Sequence, residues 1–174
     1  MKNPLVRISL RNGVLAGLLG FILMVALYYM DRHPLLIPPY MDFRIVLFGV
    51  FIFFTLREIR EYHYGGVLYF WQGMIGGFLF TVGYSLVTFA ALLTFAYAVP
   101  AFLADYIELS IKHLQSFPPE AIESLGKEAY ERNLALLPAT DSMDLAQLHV
   151  VQSFLISLFI SIVLSVILRR EPRQ

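Results

Sequence analysis

The chain contains no cysteine and very little charge: charged residues make up 15 % of its 174 positions. The missing cysteine removes disulfides and thiolate metal ligands from consideration. The missing charge is unevenly spread, and its distribution decides the class. Residues 13–30 hold eighteen consecutive positions without a charge, residues 67–104 hold thirty-eight, and residues 145–168 hold twenty-four in which only His149 is ionisable. A hydrocarbon layer of about 30 Å takes roughly 20 helical residues, so each of these runs is long enough to span a bilayer. The sequence predicts an integral membrane protein.

Other absences narrow the function. No basic stripe larger than the terminal "RREPR" is present, so no nucleic-acid partner is expected. None of His33, His63, His113 and His149 has a second His or an acid at helical ligand spacing, so no metal site and no cofactor are expected. None of the predicted spans carries an acid or base near its middle, where a proton path or an ion pump needs one. No catalytic residue is assigned, and the protein is not expected to be an enzyme. No small-x-small cleavage site flanks the first apolar run, which is therefore expected to remain as an anchor.

What is there reads as an all-α membrane protein, a four-transmembrane-helix bundle forming a single domain over residues 1–174. Its spans are expected at about 13–30, 42–62, 67–99 and 142–168, with a helical extracytoplasmic segment at about 100–141 between the third and fourth. The second span is the short one. Residues 45–56 give only twelve uncharged positions, with Arg44 and Arg57 at the ends expected to snorkel toward opposite head-group layers. Its rival is a re-entrant or interfacial segment.

Four spans with both termini on one side put eight basic and three acidic residues on that side, and five basic and ten acidic on the other. The basic side includes Lys2, Arg7, Arg11, Arg57, Arg60, Arg169, Arg170 and Arg173, so it is expected to be cytoplasmic. In the outer segment "LADYIELSIKHLQ" places Leu103, Ile107, Ile111 and Leu114 on one face and sets Glu108 to pair with Lys112. A further helix is expected over residues 119–137. "TDSMD" then supplies Thr140 or Asp141 as the N-cap of the last helix.

Small residues carry the clearest spacing. Ser153, Ser157, Ser161 and Ser165 recur every fourth position and share one helix face. Gly13 and Gly17, and Gly73 and Gly77, form GxxxG pairs, while Gly76, Gly83 and Ala90 repeat at seven. In lipid such rows let backbones approach closely, which predicts that the serine row packs on a glycine face. A serine-lined path for water or an ion is the alternative.

Between the second and third spans lies "REIREYHYGGVLYFWQG". Read as a turn, it needs Gly65 and Gly66 for positive φ, with Arg57 pairing with Glu61 and Trp71 and Gln72 seating the next helix at the interface. Read as a site, it offers Arg57, Arg60, Gly65, Gly66, Trp71 and Gln72 to a lipid phosphate or a partner. The stretch "IREYHYGGVLYFWQGMIGG" resembles a bacterial membrane family known as domain of unknown function 4199. Arg60, Gly65, Gly66, Phe70, Gln72 and Gly77 match its pattern, while Gly73 and Met74 stand where alanine and an aromatic are more common. The resemblance covers the whole chain and implies a four-helix membrane architecture without a known activity.

The function expected from these features is that of an inner-membrane scaffold, assembly factor or accessory subunit, with both termini cytoplasmic. Its partners would be membrane lipid and another membrane protein or a second copy of itself. The alternative is a small transporter or channel using the serine row together with Thr81, Ser85 and Thr88.

Overall fold

The computed structural model describes residues 3–171; Lys2 and Arg173 of the basic end lie outside the described residues. The described chain is helical, apart from short turns and one isolated bridge between Leu68 and Arg170. In chain order the helices are α1 (Pro4–Tyr29), α2 (Phe43–Glu58), α3 (Phe70–Ala98), α4 (Pro100–Gln115), α5 (Pro119–Leu125), α6 (Lys127–Leu136) and α7 (Ser142–Leu168).

Three of them, α1, α3 and α7, are long and apolar enough to cross a membrane. Their side chains are arranged inside out relative to a water-soluble bundle. Leu18, Ile22, Phe78, Leu86, Phe159 and Ile167 point outward, whereas Ser9, Thr81, Thr88 and the α7 row Ser153, Ser157, Ser161 and Ser165 are buried. A lipid surround would suit the first group, and helix-to-helix contact satisfies or shields the second.

α3 runs through the middle, packed on α1 along one side and on α7 along another, with α2 wedged across α1 and α7. Phe48 of α2 anchors this core, meeting the rings of Phe80 and Tyr84 edge-on at 5.6 and 4.7 Å. Ile52, Leu56 and Ile59 continue the buried face toward the basic end. A second apolar cluster, built on Met24, Leu35, Leu92, Phe102 and Leu145, closes the opposite end.

Boundaries differ from expectation where local capping overrides the hydropathy pattern. α1 begins at Pro4, because the Asn3 side chain accepts from the Leu5 N–H at 3.0 Å and Pro4 sits at a first-turn position that tolerates proline. Arg7 and Arg11 therefore ride on the helix, and Arg11 reaches Glu58 of α2 at 2.7 Å. α3 begins at Phe70, three residues late. The Gln72 side chain accepts from the Tyr69 N–H, while Leu68 pairs in extended form with Arg170. The helix expected over 119–137 is broken at Gly126, whose φ of 85° separates α5 from α6. Asp141 caps α7 and exchanges hydrogen bonds with Asp144 at 2.8 and 3.0 Å.

α2 has 16 residues, about 24 Å of helix, and a turn of π-helix (Ile59–His63) prolongs it at the basic end. At its other end residues 31–42 lead into it with Pro34 and Leu35 buried.

Candidate functional site

Three polar features stand out of the apolar framework: the turn at the basic end, the serine seam, and a buried ionic cluster near the opposite end of α2.

The turn holds its glycines at φ of 60° for Gly65 and 85° for Gly66, where a side chain would be strained. The Gly66 N–H closes onto the Arg60 carbonyl at 2.8 Å. Arg57 pairs with Glu61 at 3.1 Å in the exposed i,i+4 arrangement. Arg60 is used internally: one guanidinium nitrogen donates to the Leu168 carbonyl at 3.3 Å and another to Glu61 at 3.1 Å. It thus ties the end of α7 to the turn. Trp71 is 57 % exposed and stands on the outer side of the first turn of α3. The six residues share one end of the bundle, with Arg60 directed inward and Trp71 outward.

The seam runs between α3 and α7. A Cβ at Gly73 would collide with the Ser165 side chain and one at Gly77 with that of Ser161, and Ser157 hydrogen-bonds to Thr81. Gly83 faces the other way, where its α-carbon leaves room for the Leu10 carbonyl and Gly13 of α1. α3 therefore carries two glycine faces, one for α7 and one for α1. Thr81 also donates to the Gly77 carbonyl at 2.9 Å, whereas the Ser161 and Ser165 hydroxyls are buried without a hydrogen-bond partner.

The fourth serine, Ser153, belongs to a different environment. Arg44, expected to snorkel outward, turns inward instead and is only 4 % exposed. Asp42, the N-cap of α2, accepts from the Arg44 backbone N–H at 2.9 Å and from two nitrogens of its guanidinium. The remaining guanidinium hydrogens go to the His149 carbonyl at 3.2 Å, the Ser153 hydroxyl at 3.0 Å and the Gln152 amide oxygen at 2.9 Å. Guanidinium donors at 3.3 Å from His149 Nδ1 favour a lone pair there, so the ring proton sits on Nε2, 3.5 Å from the Tyr84 hydroxyl. Tyr84 and His149 lie nearly parallel, and the tyrosine hydroxyl abuts Gly20 of α1. One cluster thereby links all four long elements. Arg44 is fourteen residues, about 21 Å, along α2 from the Glu58 that pairs with Arg11.

The expectation that Arg44 snorkels outward to a head-group layer is therefore corrected: its guanidinium is buried among Asp42, His149, Gln152 and Ser153. Sequence reasoning missed it because Asp42 and Arg44 flank a short apolar run and their partners are over a hundred residues away. The available signal was His149 as the lone ionisable group of its run, beside an i,i+2 acid–base pair. Chemically, Asp42 neutralises Arg44 and every guanidinium hydrogen has an acceptor, which makes the cluster a clamp between α2 and α7.

A model of the family described as "Protein of unknown function (DUF4199)" matches residues 11–170. The chain belongs to this family. The DUF4199 match takes in the Arg11–Glu58 pair at one limit and the Leu68–Arg170 bridge at the other, and so includes the turn, the seam and the ionic cluster. No curated protein and no solved structure matches the chain. DUF4199 membership thus carries no activity to these residues, and their chemistry has to be argued from their geometry.

Proposed function

We propose that the protein is a four-span protein of the bacterial inner membrane, acting without catalysis as a scaffold, assembly or accessory subunit. In this reading α2 is the fourth span, running from its N-cap Asp42 through the turn of π-helix (Ile59–His63) at the basic end. Arg7, Arg11, Arg57, Arg60, Arg169 and Arg170 mark the cytoplasmic end, in keeping with the excess of basic residues on that side. The observation that carries the reading is where the polar groups of the core are engaged. Ser157 bonds to Thr81, Ser161 and Ser165 press against Gly77 and Gly73, and the Arg44 donors are all used by Asp42 and α7. The hollow of about 480 Å³ that Thr81, Ser157 and Ser161 border is otherwise walled by the apolar side chains of Met74, Ile75, Phe78, Phe154, Leu155 and Leu158. A path for a polar solute needs polar groups along its whole wall, whereas a rigid subunit needs its helices packed on each other. Outward surfaces suited to a partner remain in the exposed acidic residues of α5 and α6 and in the apolar face of α7.

Purification in mild detergent, with identification of co-purifying proteins and lipids, tests this reading. A stoichiometric protein partner or a self-assembled oligomer is the expected outcome. Solute flux by the isolated protein in liposomes would replace it with a transporter. The orientation has its own test, because the natural chain contains no cysteine. Gln115→Cys should label with an impermeant maleimide from outside intact cells, and Tyr62→Cys should label only after permeabilisation.

A further inference from the structure

Where α1 gives way to the 31–42 segment, a hollow of about 370 Å³ opens against α4, lined by Arg32, Leu36, Ile37, Met41, Leu109 and His113. Tied backbone bounds it on both sides. Asp31 takes a φ of 59°, and the Arg32 N–H closes onto the Leu27 carbonyl at 3.1 Å, which ends α1 and pins the Arg32 backbone. His33 donates from Nε2 to the Phe102 carbonyl at 3.1 Å and so ties the segment to α4.

Two kinds of surface meet in this hollow. Leu36 and Ile37 are half-buried and Met41 and Leu109 exposed, which makes an apolar wall open to the surroundings. Arg32 is exposed and, among the described residues, forms no ion pair. His113 is exposed as well, its ring edge-on to Phe117 at 5.2 Å. Both polar side chains are therefore within reach of a ligand from outside. A guanidinium beside an open apolar wall suits an amphiphile with an anionic oxygen group at the head of a hydrocarbon chain. Tyr29, Met30 and Tyr40, which flank the hollow in the chain, are also exposed. Tyrosines so placed at the ends of spans favour a head-group layer, and a membrane phospholipid is the amphiphile found there.

The neighbouring charges select the head group. An adjoining hollow, which shares His33 and Leu109 with the first, is lined by Asp31, Asp105 and Glu108. None of these carboxylates is ion-paired among the described residues, and the expected Glu108–Lys112 pair does not form. They repel a head group of net negative charge and attract one that carries an ammonium close to its phosphate. We propose that the hollow binds a phospholipid of the ethanolamine type, with its phosphate on Arg32, its ammonium toward the adjoining carboxylates and an acyl chain over Leu36, Ile37, Met41 and Leu109. The inference rests on the reading of α1 and α2 as membrane spans, and not on the subunit role.

The probe is dihexanoyl phosphatidylethanolamine, titrated into the delipidated full chain in a non-ionic detergent and followed by native mass spectrometry. Saturable binding is expected, weakened about tenfold or more by Arg32→Gln. Met41→Ser, at an exposed position, should also weaken it without lowering the unfolding temperature. Arg132→Gln, an exposed arginine on α6, should leave the affinity unchanged. Phosphatidylglycerol of the same chain length lacks the ammonium, and the quaternary ammonium of phosphatidylcholine has no N–H for the carboxylates, so both should bind less tightly. Absence of saturable binding would overturn the proposal, as would equal losses from Arg32→Gln and Arg132→Gln, which would reveal general surface charge. Phosphatidylglycerol or phosphatidylcholine binding as tightly as the ethanolamine lipid would overturn the head-group assignment. Displacement of the lipid by an equal concentration of inorganic phosphate, or unchanged affinity in Met41→Ser, would reassign the hollow to a free anion. Maleimide labelling judges the spans separately, so a chain that labels as expected but binds no lipid would sink this inference and leave the membrane reading standing.

Discussion

The two halves of the α7 serine row are held by opposite physics. From Ser157 to Ser165 the helix meets α3 through glycine and hydroxyl contacts, with no charge anywhere in the layer. One turn further on, Ser153 enters a network of a buried carboxylate, a guanidinium, an imidazole and an amide. Close packing gains many small dispersion contacts that are lost gradually when the fit worsens. The ionic clamp is all or nothing, because removing one partner strands the other in a medium that cannot solvate it. The bundle should therefore be far more sensitive at one end of the row than at the other.

Arg44→Met is the sharpest test of that contrast and should have the largest effect. It keeps the length of the side chain but leaves Asp42 buried without its counter-charge, a change that costs about 3–5 kcal/mol in buried pairs. Denaturant or thermal unfolding in detergent would measure it. Replacing both partners, Asp42→Asn with Arg44→Met, should recover part of the loss. A single variant as stable as the natural protein would mean that Arg44 reaches water in the membrane, as the sequence suggested.

Gly77→Leu should come next. The added Cβ alone overlaps the Ser161 side chain, so α3 and α7 must separate or their backbones must shift. Overpacking of this kind costs about 1–3 kcal/mol and sometimes more. The loss should be accompanied by weaker crosslinking between cysteines introduced on the two helices. A variant with normal stability and crosslinks would remove the seam from the account.

These two sites also differ in how far the sequence alone discloses them. Spacing of four among serines and glycines is a property of single helices, so the small faces of α3 and α7 could be read from each segment alone. The clamp is a property of tertiary placement. Arg44 at the end of twelve uncharged residues satisfies either snorkelling or burial equally well, and only its distance to Gln152 and Ser153 distinguishes them. Gly126 behaves similarly: its neighbours on both sides favour helix, and nothing in that local pattern announces the φ of 85° that divides them. The turn residues were legible in type, since Gly65 and Gly66 fit a positive φ, but the use of Arg60 to hold the Leu168 carbonyl was not.

A smaller effect is expected from pH at the acidic end. Burial lowers the His33 pKa below its unfolded value of about 6.5, so between the two values the unfolded chain binds the extra proton. Stability should therefore be fully retained above about pH 6.5 and fall as the pH drops below it. His33→Phe should flatten the dependence between about pH 7.5 and 5.5, a window chosen to lie above the usual carboxylate range of Asp31, Asp105 and Glu108. A natural protein whose unfolding midpoint does not move over that window would contradict the burial of this ring.

The smallest expected difference separates two neighbouring serines and tests the packed half from within. Ser157 shares a hydrogen bond with Thr81, whereas Ser161 is buried against Gly77 with its hydroxyl unpartnered. Ser157→Ala removes one hydrogen bond and leaves Thr81 its bond to the Gly77 carbonyl, which predicts a loss of about 1 kcal/mol or less. Ser161→Ala removes a polar atom that gains nothing from burial, so its effect should be near zero or slightly stabilising. If the row lined a water path, the order would reverse, because the unpartnered hydroxyl would be the one bonded to water and its loss the more damaging. Unfolding midpoints of the two alanine variants, measured side by side, thus decide between a seam and a path on a difference of about a kilocalorie.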